Sequence, residues 1–159
     1  MLITIKFLVD EDFVNYKKPN MFIGFPYCSF KCDKESGQKI CQNSSLIYQK
    51  NYKIDSIEII SRYLKNPLTE AIVFGGLEPL DSFEELIFLI KEFRKYTQDE
   101  IVIYTGYKEE ELDKQIKILK ENKNIIIKFG RFIPNQKKHF DNILGINLSS
   151  LNQYAKKIS

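Results

Sequence analysis

Residues 71–104 read AIVFGGLEPLDSFEELIFLIKEFRKYTQDEIVIY, and this stretch decides the fold class. Ala71-Ile72-Val73-Phe74 is a short apolar run stopped by Gly75-Gly76. Ser82 and Glu85 have capping-box spacing, and Phe83, Leu86, Ile87, Ile90 and Phe93 then recur at helical spacing. Ile101-Val102-Ile103-Tyr104 is a second apolar run, halted by Thr105-Gly106. A buried strand, an amphipathic helix and another buried strand form a parallel crossover unit.

The same alternation extends in both directions. Leu112, Ile116 and Leu119 mark a further helix, and Ile125-Ile126-Ile127 a further strand, followed by Gly130. Toward the N-terminus, Asp55 and Glu58 resemble a capping box. The helix they open has Ile57, Ile60 and Leu64 as its apolar face and ends at Asn66-Pro67. Residues 21–25 read as a strand stopped by Pro26, and residues 2–8 as another. The expected fold is therefore α/β, one domain over residues 1–159 with a mostly parallel sheet. There is no internal repeat, low-complexity segment or linker.

The 159 residues carry 24 Lys and Arg against 21 Asp and Glu, with 43% apolar and 28% charged residues. This is a globular composition, able to bury a core. The net charge of +3 is dispersed, so nucleic-acid binding is not expected. No apolar run reaches membrane-spanning length, and the short apolar start is broken by Lys6, so neither a membrane nor a signal peptide is expected. The expected location is the cytoplasm, and three cysteines cannot form a complete disulfide framework.

Each strand ends in something chemically distinctive. A cysteine loop follows residues 21–25, Gly75-Gly76-Leu77-Glu78-Pro79 the next strand, Thr105-Gly106-Tyr107 the one after, and Gly130-Arg131 the last. The carboxyl ends of parallel strands share one face, where ligands bind, so these motifs are expected to meet at one site.

The cysteines are spaced Cys28-x3-Cys32-x8-Cys41, within a polar loop spanning 27–45. Three thiolates can hold three corners of a [4Fe-4S] cubane and leave the fourth iron open to a ligand. Lys31, Lys34 and Lys39 would offset the negative charge of such a cluster. Two other readings stand beside it: zinc with His139, the sole histidine, as fourth ligand, and three reduced thiols without a metal. Gly75 and Gly76 allow close backbone approach to a ligand, and Glu78 can accept hydrogen bonds from an ammonium group. Alternatively this is an ordinary turn in which Asp81 or Ser82 caps the following helix.

Cysteine loop, glycine pair and strand order together resemble the radical S-adenosylmethionine superfamily. Gly130-Arg131-Phe132 and Ser149-Ser150-Leu151-Asn152-Gln153 bring the resemblance nearer to the activating proteins of anaerobic ribonucleotide reductase. The likeness covers nearly the whole chain. It departs from the family in the eight-residue second gap, where two residues are usual. It also departs in Ile40 where an aromatic precedes the third cysteine, and in Leu77 and Leu151 as insertions.

The resemblance implies a partial (β/α) barrel and an oxidoreductase that reductively cleaves S-adenosylmethionine to a 5′-deoxyadenosyl radical. It implies Cys28, Cys32 and Cys41 as cluster ligands, Gly75, Gly76 and Glu78 at the methionine end, and Thr105 and Arg131 at the same face. It further implies a glycyl radical enzyme as protein substrate and a flavodoxin or ferredoxin-type electron donor. Only about thirty residues follow the last core strand, which suits a protein substrate. A radical enzyme acting on a peptide or small molecule, and a non-enzymatic iron–sulfur or zinc module, are the alternatives.

Overall fold

Central strands covered on both faces are largely apolar, and four runs in this chain meet that requirement. In the computed structural model, which describes residues 1–159 apart from the Ser44 side chain, these runs are β3 (Asn20–Phe25), β5 (Ala71–Gly76), β6 (Glu100–Tyr104) and β7 (Ile125–Phe129). They lie parallel and in chain order. β2 (Phe7–Asp12) adds antiparallel to β3, and β10 (Tyr154–Lys157) antiparallel to β7. The result is a six-stranded mixed sheet in the order β10-β7-β6-β5-β3-β2. It is open at both edges. Of the expected barrel, the structure carries a mixed α/β domain with a parallel centre and no closed barrel.

The helices α2 (Ser56–Lys65), α3 (Phe83–Arg94) and α4 (Asp113–Leu119) pack on one face of this sheet. There Met21, Ile23, Phe25, Ile72, Phe74 and Ile103 meet Ile59, Tyr63, Leu86, Ile90, Phe93 and Leu119. A smaller core on the opposite face joins Val73, Val102 and Ile126 to Tyr16, Leu144 and Leu148. Leu144 and Leu148 belong to a hairpin of β8 (His139–Asp141) and β9 (Ile146–Leu148). Among the described residues no helix is long and apolar enough to cross a membrane.

Three expectations are corrected. Residues 2–8 are two strands: β1 (Leu2–Ile5) pairs with β4 (Tyr52–Asp55), whereas β2 joins the main sheet. The break falls at Lys6, which is buried; its N–H donates to Gly24 O at 2.7 Å and its Nζ to Gln49 O at 2.6 Å. Those bonds turn the backbone out of one ladder and into the other.

On α2 the buried residues are Ile59, Ile60 and Tyr63, while Ile57 is 73% and Leu64 48% exposed. Asp55 caps the helix as expected, accepting from Ile57 N–H at 2.9 Å. The inward stripe lies one residue round from the expected one, because the Tyr63 hydroxyl donates to Asp99 at 2.5 Å and fixes the helix rotation.

The Ser82–Glu85 capping box is not made. Ser82 forms no cap hydrogen bond, because the helical turn Pro79–Ser82 precedes α3 and is itself capped by Glu78.

Candidate functional site

At the carboxyl ends of the parallel strands lies a cavity of about 680 Å³. Its walls include Cys28, Cys32 and Cys41, then Gly75, Gly76 and Glu78, then Thr105 and Gly106, then Gly130. Four strand ends thus converge as parallel topology requires. An arm of the same cavity runs over the helix-free face of the sheet, between Phe7, Phe22 and Tyr104 on one side and Ile146 and Leu148 of β9 on the other. The C-terminal thirty residues therefore contribute a wall.

The long cysteine gap is folded into a compact loop. Cys28 follows β3, and Phe30 in the left-handed region (φ 54°) starts α1 (Lys31–Ser36), which carries Cys32. Gly37 ends that helix at φ 69°. Asp33 then draws the chain back: its Oδ1 accepts from the N–H groups of Ile40 at 2.7 Å and Cys41 at 2.8 Å. Three anchors tie the loop to the strand ends. Ser29 N–H donates to Asp81 Oδ2 at 2.8 Å, Lys31 Nζ lies 4.1 Å over the Tyr107 ring, and Arg131 Nε faces Glu35 at 3.2 Å. Tyr107 in turn donates its hydroxyl to Asp81 Oδ1 at 2.5 Å.

All three cysteines are half-buried and free of disulfides. Burial pushes the Cys28 thiol up to about 12, and nearby Glu78, Asp81 and Cys41 raise it further against a lowering bond from Phe30 N–H. Burial also raises Cys41. Thiols in such surroundings ionise when a positive centre binds them. Among the described residues no three His, Cys, Asp or Glu side chains converge on a single metal ion. His139 is on β8, outside the cavity wall, and partly buried rather than exposed. Cys28, Cys32 and Cys41 all line this one cavity, and three thiols are a donor set that an iron–sulfur cluster takes.

The glycine pair serves the backbone first. A Cβ on Gly75 would lie 2.7 Å from the Phe22 ring, and Gly76 at φ 88° backs onto Gly24 Cα, where a Cβ would come within 2.7 Å. Glu78 is 5% exposed. Its Oε1 accepts from Leu80 N–H at 3.0 Å and its Oε2 from Gly106 N–H at 2.9 Å. Burial dominates these bonds and lifts its carboxyl to about 7. The Thr105 side chain is a third hydrogen-bond donor to this carboxyl, which leaves one lone-pair site for a further donor. Thr105 is buried and its Oγ1 accepts from Tyr107 N–H at 3.0 Å.

Arg131 is buried but outside the cavity wall. It grips Glu111 with two bonds, Nη1 to Oε2 at 2.9 Å and Nη2 to Oε1 at 2.8 Å, which holds the Glu111 carboxyl down at about 2. The closing segment locks onto the same strand end: Gln153 accepts from Ser149 and Ser150 N–H and donates to Gly130 O, while Asn152 donates to Arg131 O at 2.7 Å.

Sequence reasoning missed Lys128, which lines the cavity at the end of β7 and is 8% exposed. Burial lowers its ammonium to about 8. The signal was available, since a lysine interrupts the run Ile125-Ile126-Ile127-Lys128-Phe129. Of the lysines expected to balance charge, Lys34 and Lys39 are exposed and Lys31 packs on Tyr107.

The profile of the family described as a 4Fe-4S single cluster domain matches residues 20–154. No curated protein matches the chain.

Proposed function

The chain belongs to the 4Fe-4S single cluster domain family, and from that membership we propose a radical S-adenosylmethionine enzyme whose cluster is held by Cys28, Cys32 and Cys41. One observation carries the reading. The three cysteines, Gly75-Gly76-Leu77-Glu78 and Thr105-Gly106, distant in sequence, line one cavity at the parallel strand ends.

Held by Cys28, Cys32 and Cys41, the cluster would supply the one electron that breaks the sulfonium carbon–sulfur bond of S-adenosylmethionine, giving methionine and a 5′-deoxyadenosyl radical. The chain's own residues orient that substrate. Glu78 offers its remaining lone-pair site to the methionine ammonium while Leu80 and Gly106 N–H and the Thr105 side chain fix its carboxylate. Gly75 and Gly76 keep the floor free of side chains, and Thr105 braces the Tyr107 turn. Arg131 acts at one remove, positioning α1 through Glu35. Phe7, Phe22, Tyr104 and residues of β9 line the arm of the cavity, and bound there a hydrogen donor would be screened from water by them. Residues 1–159 act as one such domain, with residues 27–45 as cluster loop. The hydrogen donor is a glycine on a partner glycyl radical enzyme, such as anaerobic ribonucleotide reductase, and a flavodoxin or ferredoxin-type protein supplies the electron.

The test is anaerobic reconstitution with iron and sulfide, reduction, and electron paramagnetic resonance with and without S-adenosylmethionine, with assay of 5′-deoxyadenosine. A reduced cluster signal that shifts on adding S-adenosylmethionine, with 5′-deoxyadenosine formed, is expected. A cluster that ignores S-adenosylmethionine leaves an electron-transfer module instead.

A further inference from the structure

Lys128 is a buried cation with no ion-pair partner among the described residues. Its side chain enters the cavity wall from β7, with 8% of the residue exposed. Its ammonium donates one hydrogen bond, to Gly130 O at 3.2 Å, and among the described residues it forms no ion pair. Glu78, the carboxyl that acts on Lys128, is beyond ion-pair distance, and both its oxygens already accept from Leu80 and Gly106 N–H. The Tyr104 ring, 5.9 Å away, gives only weak compensation. A charge buried this way costs several kcal/mol unless a counter-charge arrives.

The cavity offers such a counter-charge. Cys32, a candidate cluster ligand, lines the same cavity and is close enough to act on the Lys128 charge. A [4Fe-4S] core of charge 2+ with three thiolates is net −1, and one added electron makes it −2. We propose that Lys128 is the internal counter-cation of the cluster. It stabilises the reduced state over the oxidised one and so raises the reduction potential of the site. The balance is one electron in and none out, with Lys128 remaining protonated in both states. This inference rests on the cysteine-ligand part of the reading above and is independent of S-adenosylmethionine.

The experiment compares reconstituted wild type with K128M and K128R, without S-adenosylmethionine. Iron and sulfide content are measured first. The cluster is then titrated with dithionite or titanium(III) citrate under electron paramagnetic resonance. K128M removes the charge and keeps an apolar side chain of similar length. At a fixed potential its oxidised-to-reduced ratio is expected to rise about tenfold, equal to 59 mV for a one-electron couple. K128R is expected to stay near wild type. If K128M folds but takes up no cluster while K128R does, a need for the charge is equally supported. Loss of the cluster in both variants, or failure of K128M to fold, would assign Lys128 a packing role and overturn the inference. So would equal potentials at equal cluster content. A wild-type chain that holds no cluster would overturn the cysteine reading and this inference together, whereas unchanged potentials overturn only this one.

Discussion

The Asp33 carboxylate accepts the backbone N–H of Cys41 at 2.8 Å, and this bond closes the eight-residue gap between the second and third cysteines. The same oxygen takes Ile40 N–H at 2.7 Å, so one carboxylate sets the return of the chain to the cavity. D33A removes both bonds. The rest of the fold does not depend on them, so its urea midpoint is expected to stay near wild type while iron per chain after reconstitution falls severalfold. D33N keeps an acceptor oxygen and is expected to restore most of the uptake. Equal iron content in D33A and wild type would show that the loop finds its geometry from the cluster alone.

Glu78 makes the apoprotein pH-sensitive. Its folded carboxyl titrates near 7, against an ordinary 4.5, because burial disfavours the carboxylate. Between these values the folded chain holds a proton that the unfolded chain has released. Stability must therefore fall as pH rises from 4.5 to 7, by about 3 kcal/mol from this group. E78Q cannot titrate. The stability difference between wild type and E78Q, from urea unfolding of the apoproteins, is expected to shrink or reverse by that amount between pH 4.5 and pH 7.5. A difference independent of pH would contradict the burial argument.

The two neighbouring glycines should respond unequally to alanine. At Gly76 a Cβ meets main chain, 2.7 Å from Gly24 Cα and 2.8 Å from Phe25 N, at a positive φ. Neither obstacle can move without disturbing the β3–β5 pairing, and G76A is expected to cost about 3 kcal/mol. At Gly75 the obstacle is the end of the Phe22 ring, which can rotate, and G75A is expected to cost about 1 kcal/mol. Denaturant unfolding of the apoproteins checks both, and the reverse order would refute this account.

Arg131 is expected to matter for the loop before it matters for any ligand. R131M removes the paired bonds to Glu111 and the contact to Glu35, and should lower stability by about 2 kcal/mol. Amide hydrogen exchange in residues 31–36 is expected to quicken in the same variant, because Glu35 loses its anchor. The Glu111 carboxyl is depressed by Arg131, so its stabilising effect is present above the ordinary carboxylate range and lost as pH falls toward 2. Unchanged exchange in α1 would mean that Ser29–Asp81 and Lys31–Tyr107 suffice to hold the loop.

Much of this molecule was legible before any coordinates. The four parallel strands declare themselves because a strand buried on both faces must be largely apolar, and Met21–Phe25, Ala71–Phe74, Ile101–Tyr104 and Ile125–Ile127 are. Chain order of the strands follows from short crossovers, and convergence of the strand ends follows from parallel topology. Cysteine spacing, glycine pair and Glu78 were all visible as residues with no place in a core.

What stayed hidden depends on contacts between residues far apart in sequence. The rotation of α2 is set by Tyr63 reaching Asp99, so a periodicity with two adjacent apolar stripes could not choose between them. The antiparallel edges β2 and β10 are short and polar outward, and their partners decide that they are strands. Lys128 looked like one more lysine until β7 placed it within the cavity wall, and Arg131 looked ligand-binding until Glu111 took its guanidinium. The sequence by itself determined which backbone segments are buried, since hydrophobicity and its period are local properties of the chain. Only the tertiary structure decided which charges face one another, because the energy of a buried charge depends on its surroundings and not on its neighbours in sequence.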